Sequence, residues 1–228
     1  MRHYYILIAV VGCLFLACKK SNNTGGLASF NLINADPNLA SAYVYFTGPD
    51  TAFYVQQSTV SYGSAVQYGA STGSSPVALF STQDTLKPLF KGDFLLKPGG
   101  IYSLYLCGTE ATPDTLFMQD IIPIQPDSNA GARFVNLCSD CGAVNVTQQG
   151  NSQPDFAGLS YKQVAAFKNY SANSAVLNNG GYTYVVTDGS GNPVATFNWN
   201  PPTFRNNTLV ICGIDSLQSV QVFAVNNY

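Results

Sequence analysis

Beyond the first two dozen residues, apolar and polar positions alternate in short runs broken by Gly, Pro, Asn and Asp. Ile101–Leu106 and Thr208–Ile211 read as strands, and Ser41-Ala42-Tyr43-Val44-Tyr45-Phe46 alternates with a period of two. That is the period of a strand, whose side chains point to opposite faces in turn. Thr183–Val186 and Val194–Phe197 flank Asp188-Gly189-Ser190-Gly191-Asn192 and predict a hairpin. A surface helix would repeat its apolar residues every three or four positions over about a dozen residues. Ser160–Tyr170 comes nearest to that, yet it lines up with a strand-like segment earlier in the chain. The pattern predicts an all-β sandwich or barrel.

The chain also matches itself. Ala28–Asp36 (ASFNLINAD) aligns with Ala132–Asp140 (ARFVNLCSD), Val60–Tyr68 with Leu159–Phe167, and Tyr102–Gly108 with Thr208–Gly213, at offsets near 104, 99 and 105. DTLFMQDIIPI then corresponds to DSLQSVQVFAV, the final strand of each copy. Three collinear matches predict two tandem antiparallel β-sandwich domains, 27–124 and 132–228, each large enough for its own core. Residues 125–131, with Pro126, Asp127 and Gly131, suit a linker.

The N-terminus breaks the pattern. Arg2 precedes an apolar run from Tyr4 to Ala17, about the length of a signal-peptide core and too short to span a bilayer as a helix. Residues 1–17 read as a signal peptide. Leu14-Phe15-Leu16-Ala17-Cys18 resembles the bacterial lipobox, in which cleavage precedes an acylated cysteine, with Phe15 where Leu is usual. Val10-Val11-Gly12-Cys13 matches the letters better, but cutting there would shorten the apolar run to about eight residues. Cys18 is the expected lipid attachment, and residues 18–26, similar to the tethers of lipoproteins from Bacteroidetes-type bacteria, would carry the β domains. Several acyl chains at about 0.8 kcal/mol per buried CH₂ hold a protein firmly. The membrane is then the first expected partner, and the cell envelope, at the outer membrane, the expected location.

FNLINADPNLASAYVYF, VSYGSAVQY and KPGGIYSLYL together resemble the bacterial family named domain of unknown function 4397, with two copies over residues 28–228. The second copy departs from the pattern, with Cys141 where Pro37 stands and Asn206-Asn207 for Pro98-Gly99. The resemblance implies an extracytoplasmic, Ig-like or transthyretin-like β-sandwich and no particular activity.

Composition narrows the function classes. Only 10% of residues are charged and the net charge is −2, so there is no electrostatic footprint for nucleic acid. His3, the single histidine, lies in the signal segment, which excludes His-based nucleophile systems and His-ligated metals from the mature chain. No metal or other cofactor is expected. Nearly every Asp sits in a turn, as in Asp36-Pro37-Asn38, and paired catalytic carboxylates do not stand out.

Cys107, Cys138, Cys141 and Cys212 are candidates for disulfides. Three pairings are open, among them Cys212 with Cys138 or Cys141, and Cys107 stapling the domains through the other. Trp199, Phe53 and Tyr54 sit among polar or loop-forming neighbours and are candidate sugar-stacking rings, although Tyr and Phe also simply fill β cores. Thr51, Thr85, Thr115 and Ser216 each follow an Asp and precede an apolar residue, which resembles the O-glycosylation sequon of Bacteroidetes and is also how strands begin. The expectation is a non-catalytic, lipid-anchored envelope protein with a binding or structural role. A glycan-binding accessory of a polysaccharide-uptake system is the alternative, and the partner is then a glycan or an envelope protein.

Overall fold

The computed structural model describes residues 26–46, 59–84, 86–109 and 112–227. In the N-terminal half, β1 (Leu27–Asn34), β4 (Ser64–Ser71), β7 (Ile101–Thr109) and β8 (Thr112–Gln119) form a sheet in the order β4-β1-β7-β8. β2 (Ser41–Phe46), β3 (Val60–Ser61), β5 (Gly73–Ser81) and β6 (Pro88–Leu96) form a second in the order β3-β2-β5-β6. The C-terminal half repeats this layout. β9 (Asn129–Asn136), β12 (Lys168–Ser171), β15 (Asn206–Cys212) and β16 (Gln221–Asn227) run β12-β9-β15-β16, and β10 (Val144–Gln148), β11 (Phe156–Leu159), β13 (Tyr182–Thr187) and β14 (Pro193–Trp199) run β11-β10-β13-β14. A short helix, α1 (Ser174–Asn178), is capped by Asn173, whose side chain accepts from the Val176 N–H. No helix among the described residues is long and apolar enough to cross a membrane.

The chain is therefore an all-β protein of sandwich-like halves, as its periodicity predicts. Pairing is antiparallel except at the centre of one sheet in each half, where β1 runs parallel to β7 and β9 to β15. In an immunoglobulin sandwich the first strand shares its sheet with the second, fourth and fifth. Here it pairs with the fourth and seventh, so the strand order departs from the immunoglobulin one.

The ladders correct the self-alignment. Asn34 pairs with Leu106 across β1/β7, and Asn136 with Ile211 across β9/β15. With Cys107 and Cys212 equivalent, β9 matches β1 at an offset of 102, not 104. Side chains confirm it. Asn34 Nδ2 donates to Leu39 O and its Oδ1 accepts from the Asp36 N–H. Asn136 Nδ2 donates to Leu159 O and its Oδ1 accepts from the Cys138 N–H. A two-residue slip keeps every side chain on its proper face, so hydrophobic alternation alone could not detect it.

Three cores stack in series. Phe30, Leu32, Leu104, Val44 and Leu79 fill the N-terminal sandwich, and Phe134, Leu209, Val146, Tyr184 and Trp199 the C-terminal one. The third joins the halves: Ile33, Tyr105 and Cys107 pack against Val135, Val210 and Cys212. The two sheets with parallel centres are thus inner layers, covered on both faces. β15 is buried at every position and β9 at all but its first, as expected of strands covered on both faces.

Two segments depart from expectation. Of the segment Ser160–Tyr170, only Lys168–Tyr170 is a strand, the beginning of β12. Gln163 N–H bonds to Ser160 O, closing a turn, and Val164 makes one isolated bridge to Val135. β9 begins at Asn129, inside the stretch expected as linker, and Gln125 is buried with its Nε2 donating to Asn206 Oδ1 at 2.7 Å. Gln125 Nε2 and Pro123 O both bond to the Asn206 side chain on β15, which docks the connection.

Candidate functional site

The densest chemistry among the described residues lies in the seam between the inner sheets. Tyr62 follows β3, and its hydroxyl reaches across to Cys212 Sγ at 3.4 Å. Tyr161 follows β11, and its hydroxyl reaches the other way to Cys107 Sγ, also at 3.4 Å. Both tyrosines occupy the same place in the repeated VSY/LSY motif and both cysteines the same place at the end of a central strand, so the halves exchange equivalent contacts about a pseudo-twofold axis. Burial pushes both thiols up to about 11, from an ordinary value of 9.0. It also pushes the Tyr62 and Tyr161 hydroxyls above their usual range, and the facing thiol adds to the shift in each case. Thiols held protonated in this way are poor nucleophiles and poor metal ligands.

Beside Cys107, Asp114 pairs with Lys162 at 2.9 Å and stands 3.3 Å from the Tyr161 hydroxyl. Burial raises the Asp114 carboxyl, but the Lys162 ammonium and the Thr115 N–H outweigh it and hold it below the usual range. A cavity of about 210 Å³ opens against these groups, lined by Asp36, Leu39, Phe90, Cys107 and Asp114 among others. At the opposite end of the seam, Arg133 on β9 forms a buried ion pair with Asp120, which follows β8. Ser103 Oγ donates to the second Asp120 oxygen at 2.6 Å, and Arg133 Nε donates to Thr208 Oγ1 at 2.9 Å. These groups fasten sheet to sheet. Their polar atoms are turned to each other, an arrangement suited to positioning the halves and unsuited to proton transfer with a ligand.

The cysteine pairing is corrected. Cys138 and Cys141 bond to each other, with Cα atoms 5.5 Å apart, while Cys107 and Cys212 are free and buried. Neither expected cross-pairing forms, because the seam gives each free thiol a tyrosine partner instead. The loop between the bonded pair has its own task. Asp140 accepts from the N–H groups of Asp215 and Ser216 at 2.8 and 3.0 Å, capping the 3-10 turn Asp215–Leu217. Cys138, Asp140 and Cys141 lie close enough to hold a metal ion, but both sulfurs are committed to the disulfide.

Trp199 is corrected as well. It is 2% exposed, packs in the C-terminal core against Tyr170 and donates its indole N–H to Asn207 Oδ1 at 2.9 Å. β14 carries it inward at the strand's last position, so it offers no ring to a sugar. Phe53, Tyr54, Thr51, Thr85 and Cys18 lie outside the described residues. Thr115 is half-buried. Ser216 is exposed, with its hydroxyl donating to Asp140 Oδ2 at 2.8 Å. Sequence reasoning missed the two tyrosines and the Arg133–Asp120 pair. The tyrosines carried a signal, since Tyr62 and Tyr161 recur in register with the repeat.

No protein-family model matches the chain, and no curated protein matches it in sequence. Among solved structures, it is similar to a proposed cell adhesion protein from Bacteroides eggerthii, at 8% identity over 90% of this chain and 97% of that one, with a TM-score of 0.24. It is also similar to a family CBM26 module from Eubacterium rectale, solved with maltoheptaose, at 11% identity over 89% and 97% of the two chains, with a TM-score of 0.26. Likenesses this distant carry no argument about what the chain does.

Proposed function

We propose that the chain is a non-catalytic, lipid-anchored protein of the cell envelope, held at the outer membrane through Cys18, in which paired β sandwiches serve a binding or structural role. The observation that carries this reading is the use of its reactive groups. Two thiols, two tyrosines and a buried ion pair, which elsewhere could equip a site, are spent here on fastening one inner sheet to the other. The lipobox-like Leu14–Cys18 and the family resemblance support the envelope location.

Intact-mass spectrometry of the protein extracted from membranes tests it. The expected mass is that of residues 18–228 carrying acyl groups and lacking two hydrogens for the Cys138–Cys141 bond. A mass without lipid overturns the anchor. A turnover assay that lost its signal on replacing one Asp would overturn the non-catalytic role.

A further inference from the structure

Single exposed apolar side chains need no explanation, because much of any protein surface is apolar. Their distribution here is different. Leu27, Ile121, Ile124 and Phe204, exposed at 69%, 85%, 95% and 60%, are four of the seven large apolar side chains exposed among the described residues. Hydrogen bonds to the backbone bring all four to one end of the molecule. Gly99 N–H bonds to Leu27 O, and Asp120 N–H to Ile101 O just before Ile121. Asn206 Nδ2 bonds to Pro123 O beside Ile124, and Phe204 N–H to Asn129 O. This is the end where β1, β7, β9 and β15 begin and where Arg133 meets Asp120. The Tyr–Cys contacts lie at the other end.

Two further observations point to what covers this end. Phe204 is a bulky aromatic held at φ 63° while exposed, a conformation costing about 1–3 kcal/mol that persists only where the surroundings impose it. In addition, the chain enters the fold at this same end, through Gly26 and Leu27. Eight peptide steps separate Gly26 from Cys18, so the cysteine lies within about 28 Å of this surface whatever path the chain takes. Lys97 and Arg205, which directly follow β6 and precede β15, are exposed.

We infer that this end docks on the lipid surface, with Phe204, Ile121, Ile124 and Leu27 seated in the boundary between headgroups and acyl chains. The inference rests on the proposed Cys18 anchor, which keeps the end close to the bilayer so that a shallow apolar contact suffices. The anchored chain would then stand upright, with the Tyr–Cys end and the disulfide loop pointing away from the membrane.

The test uses the membrane-extracted full protein carrying Phe204→Trp, reconstituted in phosphatidylethanolamine/phosphatidylglycerol vesicles with or without bromines on the upper acyl chain. The spectrum of the parent, whose buried Trp199 is common to both, is subtracted. The new indole is expected to shift to the blue and to lose about half its emission to bromines at the boundary, about 5–10 Å deep. Adding Ile124→Ser, a change at an exposed position, is expected to weaken the quenching. Leu86→Trp, exposed at the far end, is expected to remain unquenched.

No quenching of the Phe204→Trp indole in protein whose mass shows the lipid overturns docking and leaves the anchor standing. A blue shift insensitive to bromine overturns it in favour of a second copy as the cover, and equal quenching at both positions overturns the upright orientation. A mass without lipid overturns the anchor instead, and with it the docking that rests on it.

Discussion

At one side of the seam Asp114 and Lys162 stand beside the Tyr161–Cys107 contact; at the other, Gln221 and Gly63 occupy the equivalent places beside Tyr62–Cys212. The same inequality recurs at the far end of the inner sheets. Arg133 and Asp120 form a buried ion pair, while their counterparts in the other half are Asn31 and Asn227. The apolar frame of the seam is twofold and its polar fastenings are not. The difference teaches that burial and shape hold the halves together, whereas charges select which end of each half meets which.

The ion pair offers the largest effect. Asp120→Ala leaves the Arg133 guanidinium buried without its counterion, at a cost of about 3–5 kcal/mol, or a fall in Tm of about 10 °C for a chain of this size. Asp120→Asn combined with Arg133→Asn gives both positions the amides that their counterparts, Asn227 and Asn31, already carry. Thermal unfolding is expected to show the double variant recovering most of the loss. A double variant no more stable than Asp120→Ala would break the equivalence of the two ends.

The disulfide sharpens a second contrast. Where the C-terminal half has Cys138, bonded to Cys141, the N-terminal half has Asp36, which accepts the Asn38 N–H at 3.0 Å. One half closes its loop covalently and the other with an Asx turn. Reducing a loop this short is expected to cost about 2 kcal/mol in the chain-entropy model, seen as a lower denaturant midpoint in reductant. Asp140→Ala, which uncaps the 3-10 turn, is expected to cost about 1 kcal/mol. A midpoint indifferent to reductant would show the two loops to be energetically alike.

Both thiols behave alike, despite their unlike neighbours. Each is raised to about 11 in the folded chain from 9.0, so the folded state holds these protons more tightly than the unfolded one. That contribution is complete below about pH 9 and is lost as the pH climbs toward 11. Denaturant unfolding between pH 8 and 11 is expected to show a falling midpoint, and a disulfide-exchange reagent is expected to label Cys107 and Cys212 only as fast as the chain opens. Rapid labelling of one thiol alone would show its side of the seam to be looser.

Much of this fold could be read from the amino-acid order, and the reason for the remainder is specific. β2 spans Ser41–Phe46 and the β13/β14 hairpin turns at Asp188–Asn192, as alternation and turn residues indicate, because these are local signals. The offset between β1 and β9 was misread by two residues because facing is conserved under that slip, and the hydrogen bonds that fix it, from Asn34 and Asn136, span the fold. The seam was missed for a related reason. A strand buried on both faces says that something covers it, but not what. Trp199 misled because polar neighbours on either side are what any strand residue has when its own side chain points inward.

The smallest effect tests whether the extra charge pair matters. Gly63 and Lys162 both sit in the left-handed region, at φ 73° and 64°. Glycine adopts this freely, whereas a lysine held there costs about 1 kcal/mol. Against that stands an ion pair whose side chains are 33% and 41% exposed, worth only about 0.2–1 kcal/mol after solvent screening. Lys162→Gly removes both terms and makes this side of the seam resemble the other. The opposing contributions predict a change in unfolding free energy below about 1 kcal/mol at moderate salt, shifting toward stabilisation as added salt weakens the pair in the parent. Asp114→Gln on its own keeps the backbone cost while losing the pair, so it is expected to be the less stable of the two. A loss well above about 1 kcal/mol in both variants would mean that the Asp114–Lys162 bond, with Tyr161 beside it, holds the seam more strongly than its exposure allows, and that the polar fastenings carry more of the assembly than the apolar frame.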